Sequence, residues 1–193
     1  MFPFKMILNY IGTALSLYVL YLIYLRPYAV RPRVDAAALA AFDLIPGTAG
    51  NSTGLRYDLA LNVTFFNDHR IWVIRFNHFS ARLYFNDTNL SAPDDTFRKF
   101  KVRLRRHRTV HPLLRGHASN ISTAMEEEFS WQQGQGWFAV EVRLRTTLTY
   151  VIWPVWYVYY YEYDCWLHFP SNATMPAVIG GVKCSKGKRF GLA

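Results

Sequence analysis

The chain has 193 residues, 51% of them hydrophobic and 17% aromatic, with 14 Phe, 13 Tyr and 6 Trp. So much apolar surface excludes a disordered chain, and 9 Pro with 11 Gly excludes collagen-like and linker-only classes. Lys and Arg outnumber Asp and Glu by 22 to 13, a formal charge of +9 that favours anionic partners.

Residues 6–25 read MILNYIGTALSLYVLYLIYL and contain no charged side chain. A helix of about 20 apolar residues matches a hydrocarbon core about 30 Å thick, so the segment predicts a transmembrane helix. Lys5 and Arg26 bracket it, and Tyr10, Tyr21 and Tyr24 sit near its ends, where amphipathic rings favour the interface. A cleaved leader is the first competing reading. Its apolar run would be shorter, and the small residues Ala36, Ala37 and Ala38 stand well beyond this one. A buried core helix is the second.

Two signals oppose each other on orientation. Arg26, Arg31 and Arg33 follow the helix, which taken alone keeps the large C-terminal part in the cytosol. Asn51, Asn62, Asn86, Asn89, Asn120 and Asn172 each begin an N-x-Ser/Thr glycosylation acceptor. Chance gives about one such site in a chain of this composition, so the surplus favours an outside location. The expectation is a single-pass plasma-membrane protein with its C-terminal domain extracellular.

Residues 26–54 form a membrane-proximal linker with a possible first strand. RPYAVRPR is a stiff basic exit, because its prolines block helix and favour extended chain. AAALAAFDLIPG is undecided between a short helix and a strand. From Leu55 the pattern is clear. Leu55, Tyr57, Leu59, Leu61, Val63 and Phe65 alternate with Arg56, Asp58, Ala60, Asn62 and Thr64, so one face is buried and one is wet.

After the turn FNDHR, residues 71–85 predict a strand whose phase slips at Asn77-His78, the mark of a bulge. Phe100, Val102 and Leu104 alternate with Lys99, Lys101, Arg103 and Arg105, and residues 109–114 suggest another short strand. GQG precedes a strand over 137–150. In residues 156–169, Tyr157, Tyr159, Tyr161, Tyr163, Cys165, Leu167 and Phe169 share one side, and 178–184 reads as a short last strand. About seven strands and no useful 3.6-residue periodicity after the first helix predict an all-β antiparallel sandwich over 55–185, with 186–193 as a tail.

These residues resemble a known plant family. The helix leads into LYLIYLRPYAVRPRVDAAALAAFDL, then LRYDLALNVTFFNDHRIWVIRFNHFSARLYFNDTNLS, then VEVRLRTTLTYVIW, and the pattern closes with Cys165 and Cys184. The chain is similar, from about Leu20 to Cys184, to the non-race-specific disease resistance and harpin-induced proteins. Their common domain is the late-embryogenesis-abundant group-2 domain. Where that family has Asn-Pro-Asn in the turn, this chain has Phe66-Asn67-Asp68-His69. The resemblance implies an immunoglobulin/fibronectin-III-like sandwich preceded by one N-terminal transmembrane helix, in proteins of pathogen defence and stress signalling. It carries over no catalytic residue.

Cys165 and Cys184, at the family-like spacing, form one disulfide if both sit in the last strands, closing a loop worth about 3 kcal/mol; two buried free thiols are the other reading. The run 98–108 (RKFKVRLRRHR) holds seven basic residues in eleven. Its alternation favours the wet face of a sheet. Lys99, Lys101, Arg103 and Arg105 also make a patch for an anionic partner, and a nucleic-acid reading is the least compatible with a membrane helix. His107, His111 and His117 lack partners at zinc spacing, and Glu126, Glu127 and Glu128 read as a solvated cap or loop. The aromatic strand has rings on both faces, one for the core and one for core packing, sugar stacking or a partner.

No nucleophile–base pair, Walker loop or dinucleotide fingerprint appears. The functional expectation is therefore a non-enzymatic protein of defence or stress response without cofactor, metal or nucleic acid. It would hold membrane lipids through one helix and bind protein partners or cell-wall polysaccharide through its sandwich. The alternative is a lipid- or carbohydrate-binding module with a cavity between the sheets.

Overall fold

The computed structural model describes residues 2–21, 27–46, 53–92, 97–171 and 176–187, without the side chains of 2–5. Helix α1 (Phe2–Leu20) is followed by strands β1 (Pro32–Pro46), β2 (Thr53–Phe66), β3 (Val73–Phe85), β4 (Thr88–Asn89), β5 (Phe100–Val102), β6 (His107–Val110) and β7 (Leu113–Ala118). Helix α2 (Thr123–Gln135) leads to β8 (Trp137–Ile152), β9 (Val155–Pro170), β10 (Ala177–Ile179), β11 (Val182–Lys183) and β12 (Ser185–Lys186).

Two six-stranded sheets result, with every strand pair antiparallel. The first runs β10-β1-β2-β6, with β11 on β1 and β7 on β2. The second runs β12-β9-β8-β3-β4, with β5 on β3. Period-two patterning builds both. Leu55, Tyr57, Leu59, Leu61, Val63 and Phe65 of β2 are all buried, while Arg56, Ala60 and Asn62 are exposed. The two apolar faces meet in a core of edge-on rings, with Phe65 against Phe76 at 4.7 Å and Phe42 against Phe138 at 5.1 Å.

The undecided alanine-rich segment is strand β1, so the sandwich begins near Pro32 rather than Leu55. Small side chains and two register shifts, at Val34/Ala36 and Leu39/Ala41, let β1 follow its neighbour. The slip read at Asn77-His78 is a register shift between Phe76 and His78. The last predicted strand, over 178–184, is two pieces, β10 and β11, with β12 following. Gly180-Gly181 breaks it, because a Cβ at Gly180 would collide with the Asp35 carbonyl and Gly181 has φ 78°. The chain then crosses sheets: β10 and β11 pair with β1, and β12 pairs with β9.

Three expectations are corrected. Among the described residues no helix is long and apolar enough to cross a membrane, which overturns the span over 6–25 and the single-pass, extracellular localisation built on it. The helix starts at Phe2 and ends at Leu20. The described uncharged part after Lys5, residues 6–20, is about 22 Å long at 1.5 Å per residue, short of a core about 30 Å thick. Asn9, Thr13 and Ser16 dilute it further, the two hydroxyls each donating back to the helix backbone at 2.9 Å. Residues 22–26, including Tyr24 and Arg26, lie outside the described residues.

The second correction is helix α2, where a solvated cap or loop was expected and no helix. Ser122 caps it by accepting from the Met125 amide, and Gly136 ends it at φ 86°. Glu126, Glu127 and Glu128 belong to this helix. Only Met125, Phe129 and Gln132 face inward, so the apolar stripe is too thin to register as a 3.6-residue period.

The third concerns the basic run, which is not one alternating strand. Val102 is buried in β5, but Leu104 is 38% exposed in a turn. Residues 103–106 form that turn, closed by the Arg106 amide on the Arg103 carbonyl at 3.2 Å, before β6 begins on the other sheet.

Candidate interaction surface

Strand β9 carries two different aromatic faces. Tyr157, Tyr159 and Tyr161 are half-buried and Tyr163 is fully buried, with successive rings 5.8–6.5 Å apart. Outward, Trp156 is 68% exposed, Val158 47% and Tyr160 69%. Trp153 sits in the turn before β9, more open still. The expected inward set is therefore observed, and the other face lies open.

That open face extends across the second sheet. Val158 pairs with Thr149, Thr149 with Arg75, and Arg75 with Lys101. Directly paired residues of an antiparallel ladder point to the same side, so this row joins the aromatic strand to the basic run. At about 4.8 Å per strand the row spans about 14 Å. Further along β9 the face turns polar. Arg145 bonds Glu162 at 2.9 Å, and Arg143 holds Glu141 through two nitrogens, each at 2.8 Å. Burial, then the nearby Glu141 charge, pushes the Asp164 carboxyl up.

Lys99, Lys101, Arg103 and Arg105 are all exposed. Lys101 belongs to the sheet row, whereas Arg103 and Arg105 ride the turn, Arg105 at φ 56°. Sequence reasoning missed what holds that turn. Asn67 is fully buried, and its amide bonds the Arg106 carbonyl at 2.9 Å. Its Nδ2 donates to the carbonyls of Trp72 at 2.8 Å and Val102 at 3.1 Å, leaving Oδ1 as acceptor for the His69 amide and Nδ1. The signal was present in the turn Phe66-Asn67-Asp68-His69, where a single Asn knits three chain segments.

Cys165 and Cys184 form a disulfide, with Cα atoms 4.3 Å apart, tying β9 to the link between β11 and β12. The Cys184 amide also bonds the Pro32 carbonyl at 3.2 Å, so this junction fastens both sheets.

The acceptor asparagines scatter over the surface. Asn62 is exposed on β2, with Oδ1 2.7 Å from His111 Nδ1. Asn86 and Asn89 are exposed on the β3–β4 hairpin, and Asn120 is exposed just before the α2 cap. Asn51 and Asn172 lie outside the described residues. His107 is on β6, His117 on β7 and His111 in the link between them, and among the described residues no group of three or more His, Cys, Asp or Glu is placed to hold a metal.

A cavity of about 770 Å³ opens where residues 28–31, the end of β2 and residues 184–186 meet β9. Both sheets line it, through Phe66 and Tyr163.

No family model matches the chain, and no curated protein matches it. Among solved structures it is similar to a crystal structure of a protein from Archaeoglobus fulgidus, at 12% identity and TM-score 0.33, over 70% of this chain and 99% of that one. It is also similar to the solution structure of an Arabidopsis thaliana protein, at 12% identity and TM-score 0.32, over 77% of this chain and 87% of that one.

Proposed function

We propose that the chain is a non-enzymatic partner-binding protein of plant defence and stress response, on a fibronectin-III-like sandwich of the late-embryogenesis-abundant group-2 type. The sequence resemblance from Leu20 to Cys184 supports the family. The observation that carries the binding role is the open row from Val158 to Lys101, flanked by Trp156 and Tyr160. Flat exposed rings suit the faces of pyranose sugars, and Arg75 and Lys101 at the far side suit carboxylates. The partner that fits both is an acidic polysaccharide. Protein partners are the competing occupant.

Affinity electrophoresis of the full chain in gels containing polygalacturonate or neutral hydroxyethylcellulose tests this. Polygalacturonate retards the chain more, and 0.5 M salt removes the difference because exposed charges are screened. The double variant Trp156→Ala/Tyr160→Ala loses retardation in both gels. Equal mobility of variant and parent, or no retardation by either polymer, sinks the reading.

The cavity of about 770 Å³ lined by both sheets favours a second reading, a module for a small ligand. Its volume lies in the range of about 300–1,000 Å³ common to ligand sites.

A further inference from the structure

We infer that the open edge of β9 pairs with the same edge of a second copy of the chain, antiparallel and twofold about Val158. The inference concerns the backbone edge of the strand and does not rest on polysaccharide binding by its outward rings.

One flank of β9 is covered along its whole length, because the register with β8 runs without a shift from Val155 to Pro170. On the other flank β12 pairs only with Tyr163 and Asp164, and the Gly187 amide donates to the Glu162 carbonyl at 2.9 Å. That bond shows which peptide groups point away from β8. Backbone groups alternate along a strand, so the N–H and C=O of Trp156, Val158 and Tyr160 point to the same side as the Glu162 carbonyl. Among the described residues no strand pairs with them there.

Elsewhere the outer strands are short or charged, as edges that avoid other chains are. β4, β5, β10, β11 and β12 have two or three residues each, and β6 and β7 carry His107, Arg108, Arg115 and His117. Residues 153–161 (WPVWYVYYY) carry no charge in a chain of net +9. Two copies repel over most of their surface but meet here with no like charges opposed.

The segment is also complementary to itself. In an antiparallel pair, residues whose peptide groups point at the neighbour lie opposite one another, so the two Val158 residues meet and Trp156 of each copy faces Tyr160 of the other. The ends of the window agree with this register. Pro154 has no N–H to give and the Glu162 carbonyl is already bonded, and the midpoint between them is Val158. Because both copies use the same edge, the contact closes at two chains instead of growing into a fibre.

Sedimentation equilibrium of the full chain, in a non-ionic detergent that covers the exposed apolar α1, tests the inference. At about 100 µM chain, a concentration suited to a small interface, the protein mass approaches that of two chains. Val158→Lys sets like charges against each other at the twofold and returns the mass to one chain. Val158 is 47% exposed, so this variant keeps the parent's circular dichroism. Mild oxidation of Val158→Cys gives a covalent dimer, since residues paired in this way have Cα atoms about 5.5 Å apart. Val178→Cys, 65% exposed on the other sheet, stays single. One chain at about 100 µM, a Val158→Lys variant as associated as the parent, or no more cross-linking from Val158→Cys than from Val178→Cys overturns the inference.

Discussion

The imidazole of His69 accepts a hydrogen bond from the backbone amide of Tyr28 at 3.2 Å, and the two rings stack with centroids 3.9 Å apart. The carbonyl of Tyr28 accepts from the Tyr150 hydroxyl at 2.8 Å, so one residue of the incoming segment is held at both ends of its peptide. Because Nδ1–H donates to Asn67 Oδ1 and Nε2 accepts from Tyr28, His69 is the neutral tautomer protonated on Nδ1.

This clasp makes stability depend on pH. Burial holds the His69 pKa below its ordinary 6.5, so the unfolded chain takes up the proton first. The contribution is complete above about pH 6.5 and declines as pH falls toward the folded-state value. Thermal midpoints at pH 7.5 and 5.5 read the loss. His69→Phe lowers stability at pH 7.5 by about 1–3 kcal/mol, the cost of an unmatched amide, and flattens the slope. An unchanged slope in that variant assigns the dependence elsewhere.

Asn67→Ala removes two donors and one acceptor from a fully buried site. The expected loss is about 2–4 kcal/mol in urea unfolding. Asn67→Asp costs more, because a carboxylate then faces the Trp72 and Val102 carbonyls. Hydrogen exchange of the Arg106 and His107 amides rises in both variants. Unaltered exchange there shows that the turn stands without Asn67.

Glu141 has a 5% exposed side chain, with Arg143 as its two-nitrogen partner. Arg143→Met strands a buried carboxylate and lowers stability by about 3–5 kcal/mol. Adding Glu141→Gln recovers most of that loss. Additive single-variant losses in the double-mutant cycle reject the coupling.

The Cys165–Cys184 bridge constrains a chain separation of 19 residues. Replacing both cysteines by Ser lowers the unfolding free energy by about 2–4 kcal/mol in the chain-entropy account. Equilibrium urea curves of parent and variant provide the measurement. Coincident midpoints rule out a stabilising role.

Elements with one wet and one dry face were legible in the residues. β2 and β9 each announce their inward set by strict alternation, and even the bulge at Asn77-His78 shows as a slip of phase. Helix α2 was not legible, because three inward residues spread over its turns make no period, although Ser122 and Gly136 marked its ends. The basic run misled because Leu104 keeps the alternation in the letters while the backbone turns away to the other sheet. The first helix differs from the expectation because the apolar letters run over 6–25, whereas the described helix covers Phe2–Leu20. At the surface, the outward rings of β9 were visible as one of three possibilities, but their alignment with Lys101 depends on pairing across four strands. The cavity joins residues 28 to 186 and has no local signature.

The pairing of β1 with β10 and β11 has a consequence for synthesis. A ribosome releases β1 early, and β2 covers one flank as soon as it emerges. The opposite flank stays bare until residues 177–183 have emerged, long after β2. A nascent or prematurely terminated chain thus presents an unzipped strand to whatever is nearby, a ready template for wrong pairing. Chaperone demand should concentrate in that interval and fall once residues 177–183 have paired.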